Sequence, residues 1–483
     1  MSEEGLKAKE EKNAQLGDMS AEEFRRYGHR VVDWIADYLA QPENYPVLSR
    51  SEPGQVKAAL PASAPERGES MEDILADLDR IILPGVTHWN HPGFFAYFAI
   101  SGSGPGILGE MFSAAFNVNA MLWRTSPSAT ELEEVTLNWL RQMMGLPETF
   151  SGVIYDLASI STLCAIAAAR EIAPPGRLRV YASEHAHSSV DKGVMTLGMG
   201  RDGVRKIATD TEYRMKPDAL AQAIEEDRAA GWQPFCVVAT VGTTSMSSID
   251  PVPQIADICE REGLWLHIDA AYGGAAAIVP EMKWILAGCE RADSLVVNPH
   301  KGLFVPVDLS VLFCRKMDAL KTAFSLVAEY LRTSEDNEVK NFMDYGPQLG
   351  RRFRAIKFWF VMRYFGVEGL VERIRDQIAM AREFAAWVDE SADFERLAPV
   401  PFSLVCFRAN PSSVEAEAHL DKLNEQLLDE VNRAGKVYLS HTKLDGKFTL
   451  RLAIGNIRTR REHIKLAWDE LVSALARLVE KGI

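Results

Sequence analysis

Three things are scarce in this chain of 483 residues, and each absence excludes a class of protein. Positive charge is in deficit: 53 Lys and Arg stand against 67 Asp and Glu, a net charge of −14. Such a balance argues against a surface built to neutralise nucleic-acid phosphates. Long apolar runs are missing as well. The longest nearly apolar stretch, 158–169, is interrupted by Ser159, Ser161 and Thr162 and is too short to span a bilayer. The N-terminal MSEEGLKAKEEKN is charged and lacks the apolar core of a secretory leader. Paired cysteines are the third absence. Six are scattered with no CxxC, several inside apolar runs such as PFCVVAT and VLFCRK, which predicts buried, reduced thiols in a cytoplasmic protein. There is also no GxGxxG at a strand–helix turn, no Walker lysine motif, no repeat and no heptad pattern.

What is there is a soluble globular composition, 47% apolar and 25% charged, long enough for two or three domains. Ser20 and Glu23 form a capping box ahead of Phe24, Tyr27, Val31, Trp34, Ile35 and Tyr38 at helical spacing. A Pro- and Ala-rich connector follows over 49–69, and Ser70 with Asp73 opens another helix. From about 150 to 315, short β-type runs (LRVYAS, FCVVAT, LWLHIDA, SLVVN) alternate with helical stretches, the mark of βαβ units and a parallel sheet. LSVLFCR after Asp308 reads as a further, antiparallel strand. A long helical stretch begins near 350. From about 395 the pattern becomes that of a small α+β domain ending in a helix capped by Thr459 and Glu462.

Ligands of a parallel α/β sheet bind beyond the C-terminal ends of its strands. Four such ends here offer Glu184-His185-Ala186-His187, Val241-Gly242-Thr243-Thr244-Ser245, Asp269 and Asn298-Pro299-His300-Lys301. Asp269, closing an apolar strand, needs a cationic partner. Lys301 or a bound cation such as a protonated pyridine nitrogen would serve. The small, hydroxyl-rich start of the helix after Asp156 could receive an anion, although most such starts are simply capped. His185 and His187 lack a nearby third ligand, so no metal is expected.

Together these residues resemble the group II pyridoxal-phosphate-dependent decarboxylases, and within them the aromatic-L-amino-acid, tyrosine and tryptophan decarboxylases. Beside HAHSSV, the motifs HPGFFAYF (91–98), WRTSPSATELE (123–133), VGTTS, HIDAAYGG, NPHK, EYLR (329–332) and GRRFRAIKFWF (350–360) occur in the family's order and cover nearly the whole chain. The resemblance implies the type I aminotransferase-like α/β fold: an N-terminal helical segment and connector over 1–90, a large domain with a mainly parallel seven-stranded sheet over 91–390, and a small α+β domain over 391–483. It implies pyridoxal 5′-phosphate as cofactor, an aromatic amino acid as substrate, and a homodimer with shared active sites that needs neither nucleic acid nor membrane.

By the same resemblance, Lys301 forms the Schiff base with the cofactor aldehyde, Asp269 pairs with the pyridinium nitrogen and His187 stacks on the ring. Thr244 and Ala271 line the cofactor, while Ala158, Ser159, Asn298 and His300 help hold its phosphate. Tyr330 matches the proton-delivering tyrosine of a loop that closes over the site. Trp89, Tyr97, Phe98 and Met121, the last from a partner subunit, would wall the substrate pocket. Gly350 stands where a glycine accompanies indole substrates in plant relatives.

Two positions depart from the pattern. Gly302 replaces the usual tryptophan after the lysine, leaving either a space that neighbours refill or an enlarged pocket. Leu157 stands where a hydroxyl or glycine is common at the phosphate site. Simple decarboxylation to an amine is the reading favoured by Tyr330 and His187 together. The alternatives are an aldehyde synthase, or a decarboxylase of altered, even engineered, specificity.

Overall fold

The computed structural model describes residues 17–326, 334–335, 338–414 and 416–481. By its internal contacts the chain divides at His91/Pro92. In the first unit α1 (Ala21–Ala40) starts at the expected capping box, with both reciprocal bonds of Ser20 and Glu23 present. α2 (Gln55–Ala59) lies within the stretch read as connector, and α3 (Met71–Asp77) is capped by Ser70, whose hydroxyl accepts from the Asp73 N–H. The stripe of α1 is used inside this unit: Tyr27 is buried and hydrogen-bonds Glu72, and Trp34 donates to Asp79 at 3.0 Å.

The second unit holds two sheets. Helices α4 (Gly104–Phe116) and α5 (Pro127–Met144) lead into β1 (Ser151–Tyr155). Then come α6 (Ala158–Glu171), β2 (Arg177–Ser183), α7 (Ser189–Thr196), β3 (Val204–Ile207), α8 (Pro217–Ala229) and β4 (Trp232–Thr240). α9 (Val252–Glu262), β5 (Trp265–Asp269), β6 (Ser294–Val297), the one-turn α10 (Pro299–Gly302) and β7 (Ser310–Cys314) complete the alternation. The seven strands lie in the order β1-β7-β6-β5-β4-β2-β3. β7 alone runs against its neighbours, as the sequence suggested for LSVLFCR. β5, β6 and β7 are buried along their whole length, which is why they read as unbroken apolar runs.

After α11 (Met317–Phe324), α12 (Ala355–Glu390) runs through a kink at Gly366, whose φ of 63° only glycine adopts at ease. The helix resumes beyond the kink and runs on to Glu390. β8 (Phe394–Arg396), β9 (Leu404–Ala409), α13 (Glu417–Ala434), β10 (Ser440–Leu444), β11 (Lys447–Ala453) and α14 (Arg461–Glu480) form the second layer, an antiparallel sheet ordered β10-β11-β9-β8 under two helices. One expectation needs correcting. The last helix is capped at Arg460 with His463, whose Nδ1 accepts the Arg460 N–H at 2.9 Å, while Thr459 turns back to donate to Pro92 O.

α4 and α12 approach at backbone distance. A Cβ on Gly109 would lie 2.6 Å from Lys357 Cα, and one on Gly106 2.3 Å from Pro306 Cδ. Beside this seam the fully buried Lys357 reaches Glu110 at 2.9 Å, and Arg354 forks Asp308 at 2.9 and 3.1 Å, just ahead of β7. Gly109→Ala is expected to lower stability by about 1–3 kcal/mol through overpacking, read as a shifted urea midpoint with unchanged slope.

Candidate active site

β5 and β6 are neighbours, so Asp269 and the turn carrying Lys301 leave the sheet side by side. The Ala270 N–H donates to Val296 O at 3.0 Å and the Asn298 N–H to Ala271 O at 3.1 Å, tying the two exits together. Pro299 at the first position of α10 starts a single helical turn at once, and the Lys301 N–H closes it on Asn298 O. Gly302 is explained by packing. A Cβ there would sit 2.4 Å from the Ala275 Cβ, so Ala275 already occupies the space that a larger residue would need. Of the two alternatives the sequence left open at residue 302, the neighbour Ala275 takes the place directly beside its Cα. The exits of β4 and β5 interlock just as tightly, since a Cβ on Gly273 would meet Val241 O at 2.4 Å.

Burial pushes the Lys301 amine down from its ordinary range, opposed by the Asp269 anion. His187 shares the same field: desolvation lowers it, Asp269 raises it and Lys301 lowers it. These three predicted residues thus form one electrostatic cluster. The His187 Nδ1 accepts the Ser189 backbone N–H at 3.1 Å. Because a backbone N–H can only donate, the neutral ring carries its proton on Nε2. His300 is buried with Nδ1 2.6 Å from Leu309 O, and burial pushes it down to about 4. It is a neutral hydrogen-bonding group and brings no positive charge to an anion.

Around this cluster lie groups prepared for a ligand. Asn298 Oδ1, Thr240 Oγ1 and Ser183 Oγ are buried without a protein partner, and all three stand at strand ends. α6 begins at Ala158 with Leu157 in the capping place, and no side chain caps it. The Ile160 and Ser161 N–H groups bond back to Leu157 O, whereas those of Ala158 and Ser159 have no intrahelical acceptor, as an anion at a helix start requires. Leu157 is exposed, and its side chain offers no hydrogen bond at this end. Leu157→Ser is expected to add about 1 kcal/mol of capping. If the serine hydroxyl also donates to the phosphate, a net gain of about 1 kcal/mol tightens cofactor binding roughly fivefold, read by titrating the apoprotein. An unmoved dissociation constant would mean that this helix start does not hold the phosphate.

Several members of the site were not foreseen in the sequence. Arg451 of β11 is buried. Its Nη2 donates to Thr244 O at 2.7 Å, its Nε to Ser245 O at 2.9 Å and its Nη1 to Ser440 Oγ at 2.8 Å. It clamps the turn that presents the exposed Thr244. Asp250, buried and pushed up to about 6, braces the base of the same turn by accepting the Thr240 and Met215 N–H groups. Phe98 lies parallel to Tyr272 with centroids 3.7 Å apart, and the Lys301 Nζ is 5.3 Å from the Phe98 centroid. An arginine in the middle of the apolar strand KFTLRLA was the one signal that could have pointed to the clamp.

The remaining expected residues fall in different places. Tyr97 adjoins Phe98, half exposed, at a φ of 53° that is rare outside glycine and that clusters at functional sites. Its hydroxyl is 3.3 Å from that of Tyr438. Ala271 is buried, and its N–H donates to Asp269 Oδ1 at 3.1 Å. Met121 and Gly350 form a separate group around Asn119, whose Nδ2 reaches Met121 Sδ at 3.4 Å and whose Oδ1 accepts the Arg351 N–H at 2.9 Å. Trp89 belongs to the N-terminal unit, where its N–H donates to Thr87 O. Tyr330 lies outside the described residues. Among the described residues no cluster of ligating side chains could hold a metal, and no helix is long and apolar enough to cross a membrane.

A desolvated amine, a strand-end carboxylate beside it, an uncapped helix start and unpartnered polar atoms, all on the C-terminal edge of a mainly parallel sheet, fit pyridoxal phosphate. This is the layout of a pyridoxal-phosphate enzyme of the type I α/β fold. Comparison with known proteins narrows the class. Residues 53–410 match the pyridoxal-dependent decarboxylase conserved domain. Tryptophan decarboxylase 2 of rice (Oryza sativa subsp. japonica) is 41% identical over 96% of this chain and 97% of its own. Phenylacetaldehyde synthase of Arabidopsis thaliana is 40% identical over 96% and 98%. The crystal structure of Oryza sativa TDC with PLP and tryptamine superposes with a TM-score of 0.93, at 36% identity over 96% of this chain and 99% of the other. The chain belongs to the pyridoxal-dependent decarboxylase family.

Proposed function

We propose that this chain removes the α-carboxylate of an aromatic L-amino acid, releasing carbon dioxide and the arylalkylamine, and that it does so as a cytoplasmic homodimer on a substrate of indole size. It is a pyridoxal-phosphate-dependent amino-acid carboxy-lyase. The single observation that carries the reading is the Lys301–Asp269–His187 cluster in a chain that aligns end to end with tryptophan and tyrosine decarboxylases.

Bound pyridoxal phosphate supplies an electron sink for the pair left when carbon dioxide departs. The chain's own groups do the rest. Lys301, desolvated and so able to shed its proton, is the amine that would hold the cofactor. Asp269 would supply the anion for its ring nitrogen. His187 has Nε2–H left to donate. Thr244, set by the Arg451 clamp, and Phe98 with Tyr272 supply polar and flat apolar surface around the reacting atoms. Tyr330, by the resemblance, returns a proton to the α-carbon.

The homodimer is supported by the uncovered apolar face of α4, where Leu108, Met111, Phe112 and Phe116 are each 43–56% exposed. Clustered exposed hydrophobics of this kind mark association surfaces. The cytoplasmic assignment is supported by six cysteines that are all unpaired and buried. The glycine at 350 and the tryptophan decarboxylases among the relatives support an indole-sized ring.

The deciding experiment is product identification with tryptophan, tyrosine, dopa and phenylalanine: one amine and one carbon dioxide per substrate consumed, with tryptophan foremost. Failure to release carbon dioxide from all four would overturn the reading. The similarity to a phenylacetaldehyde synthase keeps one alternative in view. Tyr330→Phe is expected to divert product to aldehyde, ammonia and peroxide under oxygen. Amine alone from that variant would remove Tyr330 from the proton-delivery role.

A further inference from the structure

Behind Lys301, on the side of the second sheet, is a small cavity of about 30 Å³. It is bordered by Lys301, Gly302, Ala276, Ile374, Ile378 and Ala453, with Phe98 and Tyr272 at its mouth. It shares Lys301, Phe98 and Tyr272 with the site described above, whereas Asp269, His187, Ser159, Thr244 and Asn298 do not line it.

Apart from the Lys301 amine, its polar wall groups are largely paired. The Tyr272 hydroxyl and Ser403 Oγ are 2.9 Å apart and satisfy each other, and Gln377 Nε2 donates to Asn456 O at 3.3 Å. A buried water needs two to four polar partners, and apolar cavities that lack them stay dry and take up apolar molecules. One water-sized sphere needs roughly 10–15 Å³. The volume therefore suits one neutral molecule of two or three heavy atoms. Gly302 and Ala275 keep the backbone beside Lys301 slim at this point, since a Cβ on residue 302 would need the place of Ala275.

We infer that this cavity is a binding site for a small apolar gas, and that its occupant is the carbon dioxide released by the reaction. The inference rests on the decarboxylase reading. When the bond to the carboxylate breaks, its electron pair stays with the α-carbon and carbon dioxide leaves neutral. While that carbon is still electron-rich, a carbon dioxide held against it can re-form the bond. A dry niche next to Lys301 draws the gas aside until a proton has been added to the α-carbon, and so commits the step.

Holoenzyme crystals pressurised with xenon, and separately with carbon dioxide, test this directly, because occupancy does not depend on turnover. A xenon peak and linear carbon dioxide density between Gly302 and Ile378 are expected. Ordered water there, or nothing, overturns the inference. In solution, carbon dioxide at saturation and fixed pH should slow the parent at least twofold relative to nitrogen. Ile378→Phe, which fills the niche, should lose both the xenon site and that sensitivity, and Ala453→Val serves if the first variant does not fold. Equal inhibition of parent and variants overturns the inference. So does a filled niche that leaves inhibition intact while lowering the aldehyde formed under oxygen, for then the gas it serves is dioxygen. Amine formation with an empty cavity defeats this inference alone. Xenon binding without amine from any aromatic amino acid defeats the functional reading, and the carbon dioxide assignment with it.

Discussion

Lys301→Ala is expected to lower amine formation by about three orders of magnitude or more, and to abolish the visible absorption of the cofactor-loaded protein. The expectation follows from where the side chain stands. Its amine is desolvated at the edge of the sheet, next to the Asp269 carboxylate and within 5.3 Å of the Phe98 ring centroid. Burial favours the neutral amine, which is the form that can join an aldehyde carbon. The other lysines differ in setting: Lys192, which acts on His187, is exposed, and the buried Lys357 is engaged with Glu110 and Asp308 beside the α4–α12 seam. Lys301→Arg should be as inactive as alanine, since a guanidinium keeps both its charge and its proton. A structural role alone would let arginine recover part of the activity. Borohydride reduction followed by peptide mass analysis gives a second readout: the parent retains the cofactor on the peptide containing residue 301, and both variants do not. A parent peptide of unmodified mass would remove the basis of the mechanism.

What could be read in advance depended on how local its cause was. The capping box at Ser20 and the N-cap at Ser70 involve residues three apart, and both are present as written in the sequence. The parallel strands were legible because burial on both faces leaves no polar alternation to confuse them. Asp269 and Lys301 were legible as strand-end residues, and the topology then made their strands neighbours. By contrast, the clamp from Arg451 to Thr244 joins residues some two hundred positions apart, and the Phe98–Tyr272 stack joins the segment ahead of α4 to the exit of β5. Nothing in the local pattern marks such pairs. The same holds for Gly302: its meaning lies in Ala275, a residue on another turn, and the sequence alone left open whether the missing side chain meant a hole. The cap of α14 was misplaced by one residue because Thr459 had a better partner in Pro92 O, far away along the chain.

Asp269→Asn is expected to cost about 3–5 kcal/mol of transition-state stabilisation, a fall in kcat/KM of roughly 10²- to 10³-fold or somewhat more. The substitution is nearly isosteric, and an amide oxygen can still accept the Ala271 N–H that now meets Oδ1 at 3.1 Å. The local backbone therefore has no reason to move, and what is lost is the negative charge. That charge has two partners. In the protein it favours the protonated states of Lys301 and His187. In the loaded enzyme it would pair with the ring nitrogen, whose proton makes the cofactor an effective electron sink. Removing it should weaken cofactor binding and slow the chemical step together, while KM for the aromatic substrate changes little, because the substrate's ring is held by other groups. The direction of the Lys301 shift supplies a check independent of turnover: with the anion gone, the free amine of the cofactor-free protein should lose its proton at lower pH, moving downward its titration read by the pH dependence of chemical labelling. Asp269→Glu restores the charge at a displaced position and should recover part of both. An Asn variant within threefold of the parent, with an unmoved titration, would show that the carboxylate serves the fold alone, and the ring nitrogen would need another anion that the described residues do not place there.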